Sequence, residues 1–314
     1  VILDFGTEEQ KKLHVPRILK GEELWMQFLS EPSGGSDVAG ALTTAVRDGD
    51  EWVLNGSKIW TTGAWWSDWG LCLARTNWDV PKHRGLSVFM VKIHQPGIEV
   101  HRIEMLNGSR EFCQEFITDV RIPDTDRIGE VDQGWTVGTR WMYHERSFTS
   151  SPYVTRPANR ASSEYGDFEP GNRTLKLARR LGRLDEPRVR ELIGEAHTGE
   201  LVGDALNAWV SRRMRSGELS DQAAGIIRLY AGTNAVRSIS IEFEIAGTAA
   251  IAWDKDDSSL PGMNYLVRQR ACIGGGTTEM SRNVISERVL GMPREQSRDT
   301  DIPFRDVPRS APQH

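Results

Sequence analysis

The hydrophobic period changes once along this chain, near Gly134, and that change limits the fold more than any other feature. From about 25 to 133, short β-branched and aromatic runs alternate with turn residues, which is the pattern of strands. Leu71-Cys72-Leu73-Ala74, Leu86 to Val91 and Glu115-Phe116-Ile117 read as strands of an antiparallel sheet or barrel. Asn55-Gly56, between Trp52-Val53-Leu54 and Lys58-Ile59-Trp60, predicts a hairpin because both turn residues tolerate positive φ. After Gly134 the apolar residues recur at helical spacing. Pro187, following Asp185 and Glu186, opens one helix, and Ile226, Ile227 and Tyr230 lie on another. The last helix is predicted from about Thr277 to Leu290, ended by Gly291 and Pro293. Ahead of the sheet, residues 8–20 read as the end of a helix closing near Gly21. Residues 155–175 read as a loop or frayed helix, and the polar tail after about 297 as mobile. This order is α+β, with a β domain followed by a helical bundle, and not an alternating Rossmann arrangement.

A length of 314 residues fits about two domains. The net charge is −5 and the basic residues form no block, which argues against a nucleic-acid partner. No apolar run is long enough to span a bilayer, and Val1-Ile2-Leu3-Asp4 does not begin a signal peptide. Three separated cysteines fit a reducing, cytoplasmic setting, and seven histidines without ligand spacing give no metal site. Trp25, Trp52, Trp60, Trp65, Trp66 and Trp69 crowd into the β region. A flat aromatic ligand accounts for them, and so does a sheet core filled with large residues.

Four stretches, in order, are similar to those of the acyl-CoA dehydrogenases. They are Ser30-Glu31-Pro32-Ser33-Gly34-Gly35-Ser36-Asp37; Asn55-Gly56-Ser57-Lys58-Ile59-Trp60-Thr61-Thr62; Val120-Arg121-Ile122-Pro123 through Gly134-Trp135; and Gly274-Gly275-Gly276-Thr277 with the helix after it. The resemblance covers about residues 1–295. It implies a remnant of a helical N-terminal domain (1–24), a middle β domain (25–133), a C-terminal bundle (134–297) and a tail (298–314). It also implies FAD as cofactor, with Trp60 stacked on the flavin ring and Thr62 supporting its N5 side. Gln27, Leu29, Ser30, Thr61, Thr277 and Glu279 are further cofactor positions, and Ser36 lies near both pyrophosphate and substrate.

The reaction implied is oxidation of an acyl-CoA thioester, in which a base removes the α proton and the β hydrogen leaves as hydride to flavin. Many members carry that base as a glutamate in the turn that here reads Gly274-Gly275-Gly276-Thr277. The long-chain and isovaleryl types place it on another helix before an arginine, and His144-Glu145-Arg146 matches that site. Glu145 is therefore the expected base, and the Gly275 N–H the expected donor to the thioester carbonyl. Arg146 is expected either to hold CoA or to pair with a neighbouring acid.

Two departures from the family are visible. Most of the leading helical domain is absent, so the chain reads as N-terminally truncated. The partner-supplied adenosine motifs are weak, with no R-x-x-F-G match and with Glu244-Ile245-Ala246-Gly247-Thr248 in place of Q-x-x-G-G. A homo-oligomer or a heteromer with a related subunit follows as the expectation, with an electron-transfer flavoprotein as acceptor. A same-fold oxidase or monooxygenase and a non-catalytic partner subunit are the alternatives. The base position points to long, branched or bulky acyl groups and leaves short and polycyclic ones open.

Overall fold

The computed structural model describes residues 1–148, 173–252, 260–296 and 299–308. The chain divides into two units, Val1–His144 with Glu295–His314, and Glu145–Arg294.

The first unit opens with helices α1 (Ile2–Phe5) and α2 (Glu8–Lys20). Thr7 and Gln10 cap α2 reciprocally: the Thr7 hydroxyl accepts from the Gln10 N–H, and the Gln10 side chain accepts from the Thr7 N–H. Gly21, at φ 71°, closes it in the left-handed conformation. The Gln10 amide then donates to the carbonyls of Thr125 and Arg127 at 2.6 and 2.9 Å, which anchors α2 to the strand region.

The strands are β1 (Trp25–Phe28), β2 (Thr44–Asp48), β3 (Glu51–Thr62), β4 (Trp69–Arg75), β5 (Leu86–Lys92), β6 (Ile98–Ile103), β7 (Phe112–Pro123) and β8 (Arg127–Ile128). They lie in the order β6-β7-β3-β2-β4-β5-β8, with β1 beside β4. Pairing is antiparallel except for β1 on β4 and the single Thr44–Arg75 contact of β2 with β4, so the sheet is mixed at its centre. The unbroken apolar runs of β4 and β5 are buried on both faces. Cys72, Ala74, Phe89 and Val91 enter one core with Phe28 and Trp52. Leu73, Leu86, Val88 and Met90 enter a second with Val137 and Trp141. Those last two lie on helix α3 (Gly134–Phe148). A Cβ on Gly134 would stand 2.6 Å from the backbone of Leu86 and Ser87, so only glycine lets this helix start so close to β5.

Two expectations are corrected. Asn55-Gly56 is not a hairpin turn: β3 runs straight through it, and the turn back to β2 falls at Gly49, φ 64°. Register with β7 shifts between Leu54 and Gly56, at a β-bulge whose extra residue lies on β7, where Asp119 takes φ 50°. Asn55 locks the bulge through paired bonds with Asp119 at 3.1 and 2.9 Å. The second correction concerns the tail. Phe304 is buried, stacks on Trp78 and lies 3.9 Å under the Arg75 guanidinium, so residues 299–308 are docked rather than loose. One aromatic anchor outweighs the polar composition around it.

The second unit is helical, with α4 (Arg173–Arg180), α5 (Pro187–Arg215), α6 (Ala224–Ala246), α7 (Leu260–Val267) and α8 (Thr278–Val284), the last running into a π-helical turn at Ile285–Val289. Arg173 to Leu175, expected as part of a loop or frayed helix, begin α4; the rest of 155–175 lies outside the described residues. Leu177, Val189, Leu192, Ile241 and Ile245 form the core of this unit. Among the described residues no helix is long and apolar enough to cross a membrane.

Candidate active site

In the first unit, the predicted positions gather where β1 passes into the glycine-rich turn. Gln27, Leu29 and Ser30 are half-buried. The Ser30 carbonyl accepts from the Ile59 N–H at 3.0 Å, which brings the end of β1 beside Trp60. Gly35 folds back over Ser30, leaving 3.1 Å between the Ser30 Oγ and a hypothetical Cβ. Ser36 is exposed on this turn, and Asp37 after it pairs with Lys82 at 2.9 Å.

A buried ion pair sets the turn. The Glu31 carboxylate meets the Lys58 ammonium at 2.8 Å, with both side chains almost wholly buried. Glu31 also accepts from the N–H groups of Leu42 and Thr43 at 2.6 and 2.9 Å. Lys58 spends its other two protons on the carbonyls of Leu29 and Leu73, at 3.4 and 2.7 Å. Burial pushes the Glu31 pKa upward, but the Lys58 charge and these hydrogen bonds outweigh it and hold the carboxylate below its ordinary value. The two family-like motifs are thus fastened to each other. Sequence reasoning quoted both motifs and missed this role. The signal was present, because Lys58 shares the inward phase of β3 with Trp52 and Leu54.

Trp60 is the extra residue of a bulge in β3, between Ile59 and Thr61, with φ 64°. A left-handed tryptophan is an uncommon and strained conformation, and such strain gathers at functional sites. Its effect is to turn the indole out: Trp60 is 54% exposed and touches Phe112 edge to face at 6.0 Å. Thr62 is exposed too, while Thr61 turns its side chain inward to Cys113 and Glu115. Any contact of Thr61 with a ligand on this face would therefore be through its backbone. Burial divides the tryptophan cluster. Trp25 and Trp69 stack at 5.3 Å and Trp52 is buried, whereas Trp60, Trp65 and Trp66 are exposed.

The second unit holds the other predicted positions. Glu145 is half-buried near the C-terminal end of α3; Arg146 follows in the same helix, and its side chain falls outside the described residues. Gly274-Gly275-Gly276 is an exposed turn in which Gly275 and Gly276 have φ of 71° and 97°. Arg228 pins it by donating to the Gly274 carbonyl at 2.5 Å. Thr277 caps α8 by accepting from the Met280 N–H at 3.1 Å, and Glu279 is exposed beside Arg282. Thr277→Ala is expected to cost about 1 kcal/mol through the lost cap alone. Thermal unfolding measures that cost, and loss of flavin from the folded variant would add a cofactor role for this hydroxyl. Glu244, the carboxylate in the weak adenosine motif, is paired with Arg188 at 3.0 Å, which offsets the repulsion expected for a pyrophosphate there.

Residues 27–120 match the family model described as the acyl-CoA dehydrogenase middle domain. The acyl-CoA dehydrogenase IpdE1 of Mycolicibacterium smegmatis is 32% identical over 305 residues, spanning 94% of this chain and 74% of that protein. The chain belongs to the acyl-CoA dehydrogenase family. Its members depend on FAD. The fold agrees: the solved Tcur3481-Tcur3483 steroid ACAD superimposes with a TM-score of 0.81 at 28% identity, over 94% of this chain and 74% of that one. The ChsE4-ChsE5 complex from Mycobacterium tuberculosis gives 0.72 at 26% identity, over 94% and 75%. The family-model match thus takes in the ion pair of Glu31 with Lys58, the Trp60 bulge and the turn that bears Ser36 in this acyl-CoA dehydrogenase.

Proposed function

We propose that this chain oxidises an acyl-CoA thioester to the trans-2-enoyl-CoA, with FAD as cofactor and Glu145 as the base. The observation that carries the reading is Trp60, an indole held outward by a strained bulge in a member of a flavin-dependent family. A flat ring needs an aromatic wall with polar groups at its edge, and Trp60 with Thr62, Ser30 and Gln27 supplies that set. Leu29 and the backbone of Thr61 complete this face, and Thr277 and Glu279 are further proposed cofactor positions. FAD, when bound, takes the β hydrogen as hydride. Glu145 removes the α proton, the Gly275 N–H donates to the thioester carbonyl as negative charge develops there, and Ser36 and Arg146 hold the substrate.

The acyl group is proposed to be bulky and of the steroid type, supported by the likeness to a steroid ACAD and by a glutamate placed off the Gly274–Gly276 turn. Assembly with a related subunit is the matching proposal. Two solved relatives are named as pairs of chains, and α5 leaves Leu201, Val202 and Trp209 exposed along one helical stripe. An electron-transfer flavoprotein is the proposed acceptor. The test is the visible spectrum of the purified protein, recorded without oxygen before and after a panel of acyl-CoA thioesters. A flavin band that bleaches with the bulky thioesters supports the reading, and a flavin that none of them reduces overturns it. A colourless protein that gains a flavin band on mixing with a related subunit would favour the half-site partner role.

A further inference from the structure

Beneath Trp60, on the inner side of the sheet, Glu115 is fully buried on β7, opposite Lys58 in the strand register. Two buried carboxylates, Glu31 and Glu115, thus share one buried ammonium. The donors decide between them. An ammonium has three protons, and Lys58 directs all three elsewhere, to Glu31, Leu29 and Leu73. Glu31 receives Lys58 and two backbone N–H groups, a set suited to an anion. Glu115 is left with the Thr61 hydroxyl and its own backbone N–H, and its Oε2 has no close hydrogen-bond partner among the described residues.

The hydroxyl itself is contested. Thr61 Oγ1 lies within hydrogen-bond reach of both Glu115 Oε1 and the Cys113 carbonyl, yet it has one proton to give. Against an ionised Glu115 both neighbours are acceptors, and the hydroxyl can serve only one of them. Against a carboxylic acid both contacts of the hydroxyl are met: Glu115 O–H donates to Thr61, Thr61 donates to the Cys113 carbonyl, and the unpartnered Oε2 is a neutral carbonyl oxygen and not part of a buried anion. We propose that Glu115 is carried as the neutral acid and that this relay holds Thr61 inward, fixing the bulge that turns Trp60 outward. Glu115 is then a positioning residue acting through Thr61, and the relay stands whether or not Trp60 meets a flavin.

The surrounding charges are consistent with this. From β3 Glu115 faces Lys58, already engaged with Glu31; from β4 it faces Cys72, whose thiol burial pushes up to about 11. Val100 of β6 lies opposite and carries no charge. On its own strand Cys113 is also raised, chiefly by burial, and Arg102 acts on that thiol. Burial pushes Glu115 itself from 4.5 to about 7, against the opposing pull of the Thr61 hydroxyl, its own backbone N–H and the Lys58 charge. The sign follows from the raised value. The folded state holds this proton more tightly than the unfolded one, so the group's stabilisation is complete below 4.5 and is lost as pH rises through about 7. Ionisation releases the proton to solvent and leaves the relay with two acceptors for one donor.

The experiment is difference infrared spectroscopy of the full chain between pH values below and above about 7, on wild type and Glu115→Gln. A buried carboxylic-acid carbonyl band that is present in wild type on the acid side, fades with a midpoint near 7 and is missing from Glu115→Gln supports the proposal. Fluorine NMR of fluorotryptophan-labelled protein, with Trp60 assigned through Trp60→Phe, reads the consequence. The Trp60 signal should shift across the same range in wild type and stay fixed in Glu115→Gln, whose amide donates at every pH. A band that Glu115→Gln retains, or a Trp60 shift identical in both proteins, overturns it. If Glu115→Gln does not fold, Glu115→Met, of similar volume, provides the infrared subtraction.

Discussion

Replacing Glu145 by Gln is expected to lower turnover by roughly 10³-fold, within the range by which a positioned general base contributes, while flavin stays bound. The α proton of a thioester is weakly acidic, and an amide cannot take it. Gln keeps the size of the side chain, so the half-buried position on α3 loses its basicity and little of its packing. Anaerobic reduction of the flavin by substrate separates the chemical step from binding, and an unchanged rate in this variant sinks the assignment. Gly275→Glu, placed on an inactive Glu145→Ala protein, is expected to restore only weak activity. A Cβ at Gly275 has room, its nearest neighbour being Arg228 Nε at 3.7 Å, but the φ of 71° strains any residue other than glycine. The introduced carboxylate would also lie beside the Arg228 guanidinium, which lowers its basicity.

Lys58→Met is expected to destabilise the first unit by about 3–5 kcal/mol at neutral pH, the scale for removing one partner of a buried ion pair. The loss leaves the Glu31 carboxylate among its two backbone donors with no countercharge, and leaves the carbonyls of Leu29 and Leu73 without their donor. Because the Glu31 pKa is held below its ordinary 4.5 in the folded protein, its contribution is present above that pH and is lost as pH falls through the lowered value. In Lys58→Met the carboxylate has lost the charge that held it ionised, and protonation relieves it. The gap between variant and wild type should therefore narrow as pH falls below 4.5. Denaturant unfolding at the two pH values measures this, and a gap independent of pH would remove Glu31 as its cause. Adding Glu31→Gln to Lys58→Met should recover part of the stability for the same reason.

The strand and helix regions were legible because each buries one kind of periodic surface. Alternation in β3 and β7, unbroken apolar runs in β4 and β5, and helical spacing in α5 and α6 each leave their mark along the chain. Asn55-Gly56 misled because its glycine serves the close approach of Thr43, 2.5 Å from where a Cβ would stand, and only strand pairing distinguishes that from a turn. The tail after 297 misled because composition averages over residues, while docking depends on the single side chain of Phe304 finding Arg75 and Trp78. Thr61 was placed among the ligand positions, yet the bulge beside it turns its hydroxyl into the sheet.

The sequence by itself determined the order of a β region before a helical one, the motifs similar to those of acyl-CoA dehydrogenases, and Glu145 as the candidate base. These are properties of neighbouring residues, and local pattern is enough to carry them. The tertiary structure alone decided that Glu31 takes Lys58, that Glu115 Oε2 has no hydrogen-bond partner among the described residues, and that Trp60 faces outward. Each of these depends on which buried groups, far apart in the chain, compete for the same few donors, and that competition exists only once the strands are paired.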